Sequence, residues 1–426
     1  MEIQNKQELP VNYKNKQRYN TGKKPIRQPI YLTWLIGALS FFALLFQKKK
    51  IEKINMEGLK PPYMILSNHM SFVDFELTAL GTFPQRVNSV VNVDGYIGRA
   101  WLMEWIGSVC TRKFSTDLSL VKNISTVLRR GDVLCLYPEA RYSPCGTTSY
   151  LPPSLGKIIK KNKVPIVAVV HRGNHLLSPF WNFRKKRKVP LHTTMTQILT
   201  KEDIERMSVD EINAVVQASL QYDDYRYQKE NGILIKEKYR AEGLHRILYQ
   251  CPHCKTESKM DSKGTELFCT ECGKRWNMNE DGTLSALEGE TEFSHIPDWF
   301  EWEREQVRKQ VESGEYSFAD EVDVFSQPRT NGFVSLGKAK LTHDRENGFI
   351  VEGHHNGSDY RLIRKPLESN SLHVEYEYFR IRRADCFDIS MEKDSYYCYP
   401  TKENVITKLA FATEEIFLRA MREREK

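Results

Sequence analysis

The chain has little of what a typical membrane-spanning protein needs. Its one strongly hydrophobic stretch, residues 30–46 (IYLTWLIGALSFFALLF), carries no charge but holds only seventeen residues, the short limit for a bilayer span. A cleaved secretory leader is not expected, because a long polar arm precedes that stretch and no small-residue cleavage site follows it. A disulfide framework is missing as well. The nine cysteines are an odd number; four form two Cys-x-x-Cys pairs and five are scattered among apolar or aromatic neighbours, which suits a reducing compartment. No serine or cysteine sits in a nucleophile-elbow pattern. The formal net charge of +8 is concentrated in the first sixty residues rather than striped along the chain. That distribution points to an anionic surface as partner and not to nucleic acid.

What is present divides the 426 residues into more than one domain. Residues 1–29, rich in Lys and Asn and without periodicity, read as a disordered arm. Residues 30–50 read as a hydrophobic membrane anchor, either a short span or an interfacial helix. Basic residues flank it on both sides (Lys23, Lys24 and Arg27; Lys48, Lys49 and Lys50), so the asymmetry that orients a span is absent. Residues 51–245 alternate short β-branched runs with amphipathic stretches. Strands are expected at 63–66, 87–93, 107–112, 133–136, 164–170 and 191–199, with a helix at 116–130. This is the pattern of an α/β layered sheet with parallel strands and crossover helices.

The stretch Ser67-Asn68-His69-Met70-Ser71-Phe72-Val73-Asp74 falls on the first strand-to-helix turn of that sheet. Ser71 and Asp74 have capping-box spacing. The same geometry lets Asp74 turn back on the His69 ring, fix its tautomer and leave the other nitrogen to take a proton from a hydroxyl. Two further polar clusters, Arg112 and the run Tyr137-Pro138-Glu139-Ala140-Arg141-Tyr142-Ser143, also fall at carboxyl ends of strands, where open α/β sheets collect their chemistry.

Residues 60–200 resemble the glycerolipid acyltransferase family that includes the bacterial 1-acylglycerol-3-phosphate acyltransferases. Its four ordered blocks appear as NHMSFVD (with His69 and Asp74), Gly107 to Arg112, YPEARYS, and VPIVAV from Val164. The third block departs: the family's usual Gly-Thr-Arg is here Ala140-Arg141-Tyr142, so the arginine comes one residue early. The resemblance implies transfer of a fatty acyl group from acyl-CoA or acyl carrier protein to the hydroxyl of a lysophosphatidic-acid-like glycerolipid. In that scheme His69 is the base and Asp74 orients it. Asn68, Arg112, Glu139 and Arg141 contact the substrate, the arginines holding a phosphate. Acylation of another lysophospholipid, or of a lipid amine or alcohol, is the nearest rival. A non-catalytic lipid- or partner-binding protein is the rival from another class.

Past the sheet, an aromatic run at 179–183 leads into Arg184-Lys185-Lys186-Arg187-Lys188, a pattern of interfacial anchors on anionic membranes. Residues 246–285 hold Cys251, Cys254, Cys269 and Cys272, two knuckles separated by fourteen residues. That is the spacing of a zinc ribbon with a filled, structural site, and His253 is expected to be a bystander. Residues 286–426 read as a C-terminal α+β domain, its short strands and final helix similar in pattern to a pleckstrin-homology module. The expected setting is the cell membrane, with the catalytic domain facing the cytoplasm.

Overall fold

The structure is a computed structural model and describes residues 19–114, 117–391 and 393–424; residues 1–18, and Thr116 at the expected start of a helix, lie outside them. After α1 (Ile30–Ala43), the chain runs through β1 (Lys49–Ile54), β2 (Met64–Ser67), α2 (Val73–Thr82), β3 (Val87–Asn92), α3 (Ala100–Trp105) and β4 (Val109–Thr111). It continues with α4 (Leu118–Arg129), β5 (Val133–Leu136), α5 (Ser154–Asn162), β6 (Ile166–Arg172), α6 (Asn174–Leu177) and β7 (Leu191–Leu199). The seven strands form one sheet in the order β1-β7-β6-β2-β5-β3-β4. Met64, Ile65 and Leu66 in its centre are fully buried, as strands covered on both faces require. Burying each such side chain is worth about 1.5–3 kcal/mol.

The fold is α/β, and the sheet is mixed rather than parallel throughout. β7 runs antiparallel to β6 and parallel to β1, because the chain between β6 and β7 returns along the same edge instead of crossing a face. β1 itself begins inside the lysine run: Lys49 pairs with Leu191. Charge on an edge strand blocks unwanted pairing, so part of the supposed basic flank is sheet. α4 is capped by Asp117, which accepts from the Leu120 amide at 3.1 Å, a contact worth about 1 kcal/mol.

Residues 19–29 are not a loose arm. Tyr19 packs on Tyr96 and donates to Glu104 at 3.0 Å, Arg27 pairs with buried Asp132 at 3.0 Å, and Arg130 donates to the Pro25 carbonyl at 2.7 Å. α1 has fourteen residues, about 21 Å at 1.5 Å per residue, against a hydrocarbon core of about 30 Å. No described helix is long and apolar enough to cross a membrane. α1 instead lies on α2, where Gly37 gives the Phe83 ring room that a Cβ would fill at 2.8 Å. Its other side stays bare: Trp34, Leu39, Phe42 and, just past the helix, Phe46 are 58, 60, 67 and 97% exposed.

Three helices, α7 (Lys201–Arg206), α8 (Val209–Ser219) and α9 (Asp224–Glu230), lead to a four-stranded antiparallel ribbon. Its strands are β8 (Met260–Lys263), β9 (Glu266–Cys269), β10 (Arg275–Met278) and β11 (Leu284–Ala286). After α10 (Ile296–Ser313) come β12 (Ser317–Ser326), β13 (Val334–Asp344), β14 (Gly348–His355), β15 (Ser358–Arg364), β16 (His373–Tyr378), β17 (Ala384–Ser390) and β18 (Ser395–Pro400). They form an antiparallel sheet in the order β15-β14-β13-β12-β18-β17-β16, and α11 (Ile406–Arg424) closes the chain. These parts share a core. Trp276 of the ribbon meets Trp299 of α10 edge-on at 4.9 Å, Phe300 meets Phe411 of α11 at 4.6 Å, and Phe180 of the first sheet's loop meets Tyr376 at 5.2 Å.

Candidate active site

β2 ends at Ser67 and the chain turns through Asn68 and His69 into α2. Asn68 is wholly buried. Its amide nitrogen donates to the His171 carbonyl at 2.9 Å and its oxygen accepts the His171 amide at 2.8 Å. Both ends of the side chain are therefore used to clip the turn to β6.

Asp74, also wholly buried, gathers four donors. Its Oδ2 accepts from the backbone amides of Met70 at 2.6 Å and Ser71 at 3.0 Å and lies 3.0 Å from His69 Nδ1. Its Oδ1 accepts from Asn174 Nδ2 at 2.6 Å. The capping box is only half formed. Ser71 Oγ has no partner among the described residues, and α2 begins without a side-chain cap. Burial would raise the Asp74 pKa, but the hydrogen bond from His69 and the nearby His171 and Asn174 hold it below the usual carboxylate range. An ionised Oδ2 can only accept, so His69 carries its proton on Nδ1, and Nε2 is the basic nitrogen. Burial pulls the His69 pKa down against the opposing pull of Asp74, which keeps the ring neutral and competent as a base at neutral pH. The imidazole is clasped between Tyr137, stacked at 4.0 Å, and Tyr142 at 4.2 Å.

His69 opens on a cleft of about 1470 Å³. Its walls are largely apolar, with Leu35 and Leu39 of α1, Leu102 and Ile106 by α3, and Phe180 among them. The C-terminal sheet supplies Glu375, Tyr378 and Arg380. The space is large and mostly apolar, and a neutral base at its wall can deprotonate a hydroxyl held there.

The other expected substrate contacts separate. Arg112 reaches the cleft; it also donates to Ser395 Oγ at 3.0 Å and to the Lys393 carbonyl at 3.4 Å. Arg141 does not line the cleft. Its guanidinium is buried against Glu414 of α11 at 2.6 Å and Ser371 at 2.9 Å, so its charge is neutralised within the protein. Ala140, just before it, takes a left-handed conformation (φ 55°). Glu139 is likewise buried off the cleft, accepting from the Ser149 amide at 2.9 Å and from Tyr222 at 3.1 Å. Burial pushes its pKa up to about 7. It holds the 139–149 loop and does not line the cleft. In the basic run, Arg184 pairs with Glu377, Lys185 with Glu242, and Arg187 is buried on Trp181, which leaves Lys186 and Lys188 as the run's charges outside these contacts.

Sequence reasoning missed Asn174, which orients Asp74, and the two tyrosines around His69. Asn174 follows β6 directly after Gly173 (φ 84°), so the strand-end rule that singled out His69 applies to it equally.

The four cysteines come together. The Sγ atoms of Cys251 and Cys272 are 3.8 Å apart, as are those of Cys254 and Cys269, and all four lie within 4.8 Å of one another. A tetrahedron of thiolates about 2.3 Å from a zinc ion has edges of about 3.8 Å. The donors therefore fit a metal ion such as zinc. His253 lies outside the cluster.

The fold and site thus define a mixed α/β sheet carrying a His–Asp pair at the wall of a large, mostly apolar cleft. No family model matches the sequence, and no curated protein matches it. Among solved structures, the chain is similar to the 1-acyl-sn-glycerophosphate (LPA) acyltransferase PlsC from Thermotoga maritima. The TM-score is 0.35 and the identity 18%, over 45% of this chain and 77% of that one. A likeness of that size carries no weight for function, which rests on the geometry.

Proposed function

We propose that the protein is an acyltransferase of phospholipid synthesis. It moves a fatty acyl group from acyl-CoA or acyl carrier protein to the hydroxyl of a lysophosphatidic-acid-like glycerolipid. The observation that carries this reading is the His69–Asp74 pair opening on the largely apolar cleft. His69 Nε2 takes the hydroxyl proton as that oxygen attacks the thioester carbonyl carbon, and Asp74 stabilises the imidazolium. The carbon–sulfur bond then breaks and the departing thiolate receives the proton. General base catalysis of this kind is worth roughly a hundred- to ten-thousandfold. The reaction needs no nucleophile from the protein and no metal; zinc at the four cysteines is a structural crosslink.

The bare side of α1, together with Trp101 and Trp105 of α3 (66 and 40% exposed), supports docking on the cytoplasmic face of the cell membrane. There α1 lies in the interface, and Lys48, Lys186 and Lys188 meet anionic headgroups. Because Leu35 and Leu39 belong both to that bare side and to the cleft wall, an acyl chain enters sideways from the lipid. The seating of Arg141 on Glu414 favours a second acceptor class, another lysophospholipid whose headgroup is not read by that arginine. Purified protein incubated with a panel of lysolipids and both donor types, with products read by mass spectrometry, tests the reading. His69→Ala should lose at least roughly a hundredfold in turnover. Wild-type turnover in a folded His69→Ala protein would overturn it.

A further inference from the structure

The cleft does not stop at His69. On β2, Met64 and Leu66 pack with Ile124 and Val127 of α4 and with Leu155 and Ile159 of α5. Ile65, between them, faces the other side of the sheet, in a core with Ile51 and Met195. α2 covers that side, its Gly81 so close to Met195 that a Cβ would meet the sulfur at 2.5 Å, and α1 lies on α2. The cleft is lined by Leu35 and Leu39 of α1, and equally by Leu118 and Val121 of α4 and Leu155 and Ile158 of α5. It therefore crosses the strand ends from one face of the sheet to the other. His69, on the turn after β2, stands between the two ends, and Tyr378, Phe379 and Phe417 of the C-terminal half also line the passage. Its volume of about 1470 Å³ exceeds the roughly 300–1,000 Å³ of a site for one small molecule.

The two ends differ in chemistry. The α1 end opens beside the exposed Trp34, Leu39 and Phe42. At the other end, α5 carries Lys157 and Lys161, both exposed and both on the cleft wall. They are four residues apart on the helix, which sets their Cβ atoms about 5–6 Å from each other. Neither has an ion pair among the described residues. Their neighbours are engaged: Lys160 donates to the Ile204 carbonyl at 2.8 Å, and Lys163 pairs with Glu205 at 3.7 Å. Two acids of the wall by α4, Asp117 and Glu368, accept from the backbone amides of Leu120 and Lys365.

Two cations spaced in this way match a diphosphate, and a thioester whose long arm ends in one is acyl-CoA. An acyl carrier protein presents its arm from an acidic surface, which would have to lie over the flank of α5. That flank is α7 and α8; Asn213 of α8 accepts the Gly156 amide of α5 at 2.8 Å. They present Glu202, Asp203, Glu205, Asp210 and Glu211 against only Lys201 and Arg206, and like charges across an interface exclude a partner. The rim admits a compact nucleotide and repels an acidic protein.

We propose that the α4–α5 end of the cleft is the donor's entrance, where Lys157 and Lys161 bind the diphosphate of acyl-CoA, while the acceptor lipid enters from the α1 end. The inference rests on the acyl-transfer reading and narrows its donor to the nucleotide thioester. The two substrates meet at His69 from opposite faces of the sheet, so free CoA leaves to water and the product lipid leaves to the membrane.

The test titrates the full chain calorimetrically with three probes: CoA, pantetheine, which has the same arm without phosphate, and an acyl carrier protein bearing the arm. CoA should bind at least tenfold more tightly than either of the others. Lys157→Gln combined with Lys161→Gln should bring CoA down to the level of pantetheine, and Lys157→Arg with Lys161→Arg should keep the preference. Both side chains are exposed, so the variants should melt with the wild type. Equal binding of CoA and pantetheine, a preference that survives the double Gln change, or a carrier protein that binds as tightly as CoA would overturn the proposal. A preference lost in the double Gln protein, alongside a wild type that transfers no acyl group to any lysolipid, would uphold the nucleotide site and sink the acyl-transfer reading. Turnover of acyl-CoA with an unchanged KM in the double Gln protein would do the reverse.

Discussion

Replacing Asp74 by asparagine separates the charge of the pair from its geometry. Oδ2 faces three donors, the amides of Met70 and Ser71 and His69 Nδ1, so the new side chain should present its carbonyl oxygen there. Its NH2 group then meets Asn174 Nδ2, donor against donor. Asn174 can answer by turning its own amide over, because its Oδ1 has no partner among the described residues. The His69 tautomer survives, and what is lost is the negative charge under the imidazolium. A hydrogen bond to a charged acceptor is worth about 1.5–3 kcal/mol and a neutral one about 0.5–1.5. The difference, about 1–1.5 kcal/mol, is roughly a five- to fifteenfold loss of turnover. The acid limb of the rate profile should also move to lower pH, since burial already lowers the His69 pKa and Asp74 is what opposes it. The assay is steady-state turnover across pH, with circular dichroism to confirm folding. A loss nearer ten-thousandfold would mean that the amide sits reversed and forces the wrong tautomer, as in a serine protease carrying the equivalent change. No loss at all would refute the pair as catalytic machinery.

Ala140→Gly should raise stability by roughly 0.5–1 kcal/mol, since relief of the left-handed alanine (φ 55°) exceeds the added freedom of glycine in the unfolded chain; urea melts would show it, and a destabilised variant would contradict the strain. Glu139 keeps its proton to about pH 7 when folded, against an ordinary value of 4.5, so the folded state binds more protons across that window and stability falls as pH rises through it. Glu139→Gln should therefore gain in melting temperature relative to wild type between pH 4.5 and 7; a constant gap would remove the buried carboxyl from the account. Replacing Cys251 and Cys254 by Ser should abolish stoichiometric zinc and open residues 246–285 to protease; metal analysis finding no zinc in the wild type would end that assignment. Changing exposed Trp34 and Phe42 to Ser should weaken binding to anionic vesicles severalfold, and unchanged sedimentation with such vesicles would show that α1 is not the docking element.

Much of the first sheet was legible because its strands are short, β-branched and fully buried, and because strand ends next to polar residues mark where chemistry gathers. His69 and Asp74 stand five residues apart, so their meeting is a local event that a sequence pattern can encode. The cysteine knuckles were readable for the same reason. The seating of Arg141 was not, because its partner Ser371 lies 230 residues further on, and no local pattern announces such a meeting. The reversal of β7 escaped notice because strand direction leaves no mark on hydrophobic periodicity. Lys49 and Lys50 looked like a membrane flank because charge on an edge strand and charge beside a bilayer look alike.

The seam between the two halves also bears on how the chain is made. Synthesis runs from the amino end, so Arg141 is translated long before Glu414, its buried counter-charge, leaves the ribosome. Until α11 arrives, the nascent N-terminal half carries a cation that has no burial site of its own, and the unsealed face stays wet and open to proteases. The last helix thus acts as a certificate of completion: a message broken anywhere before codon 414 yields a half that cannot close. Degradation would clear such fragments.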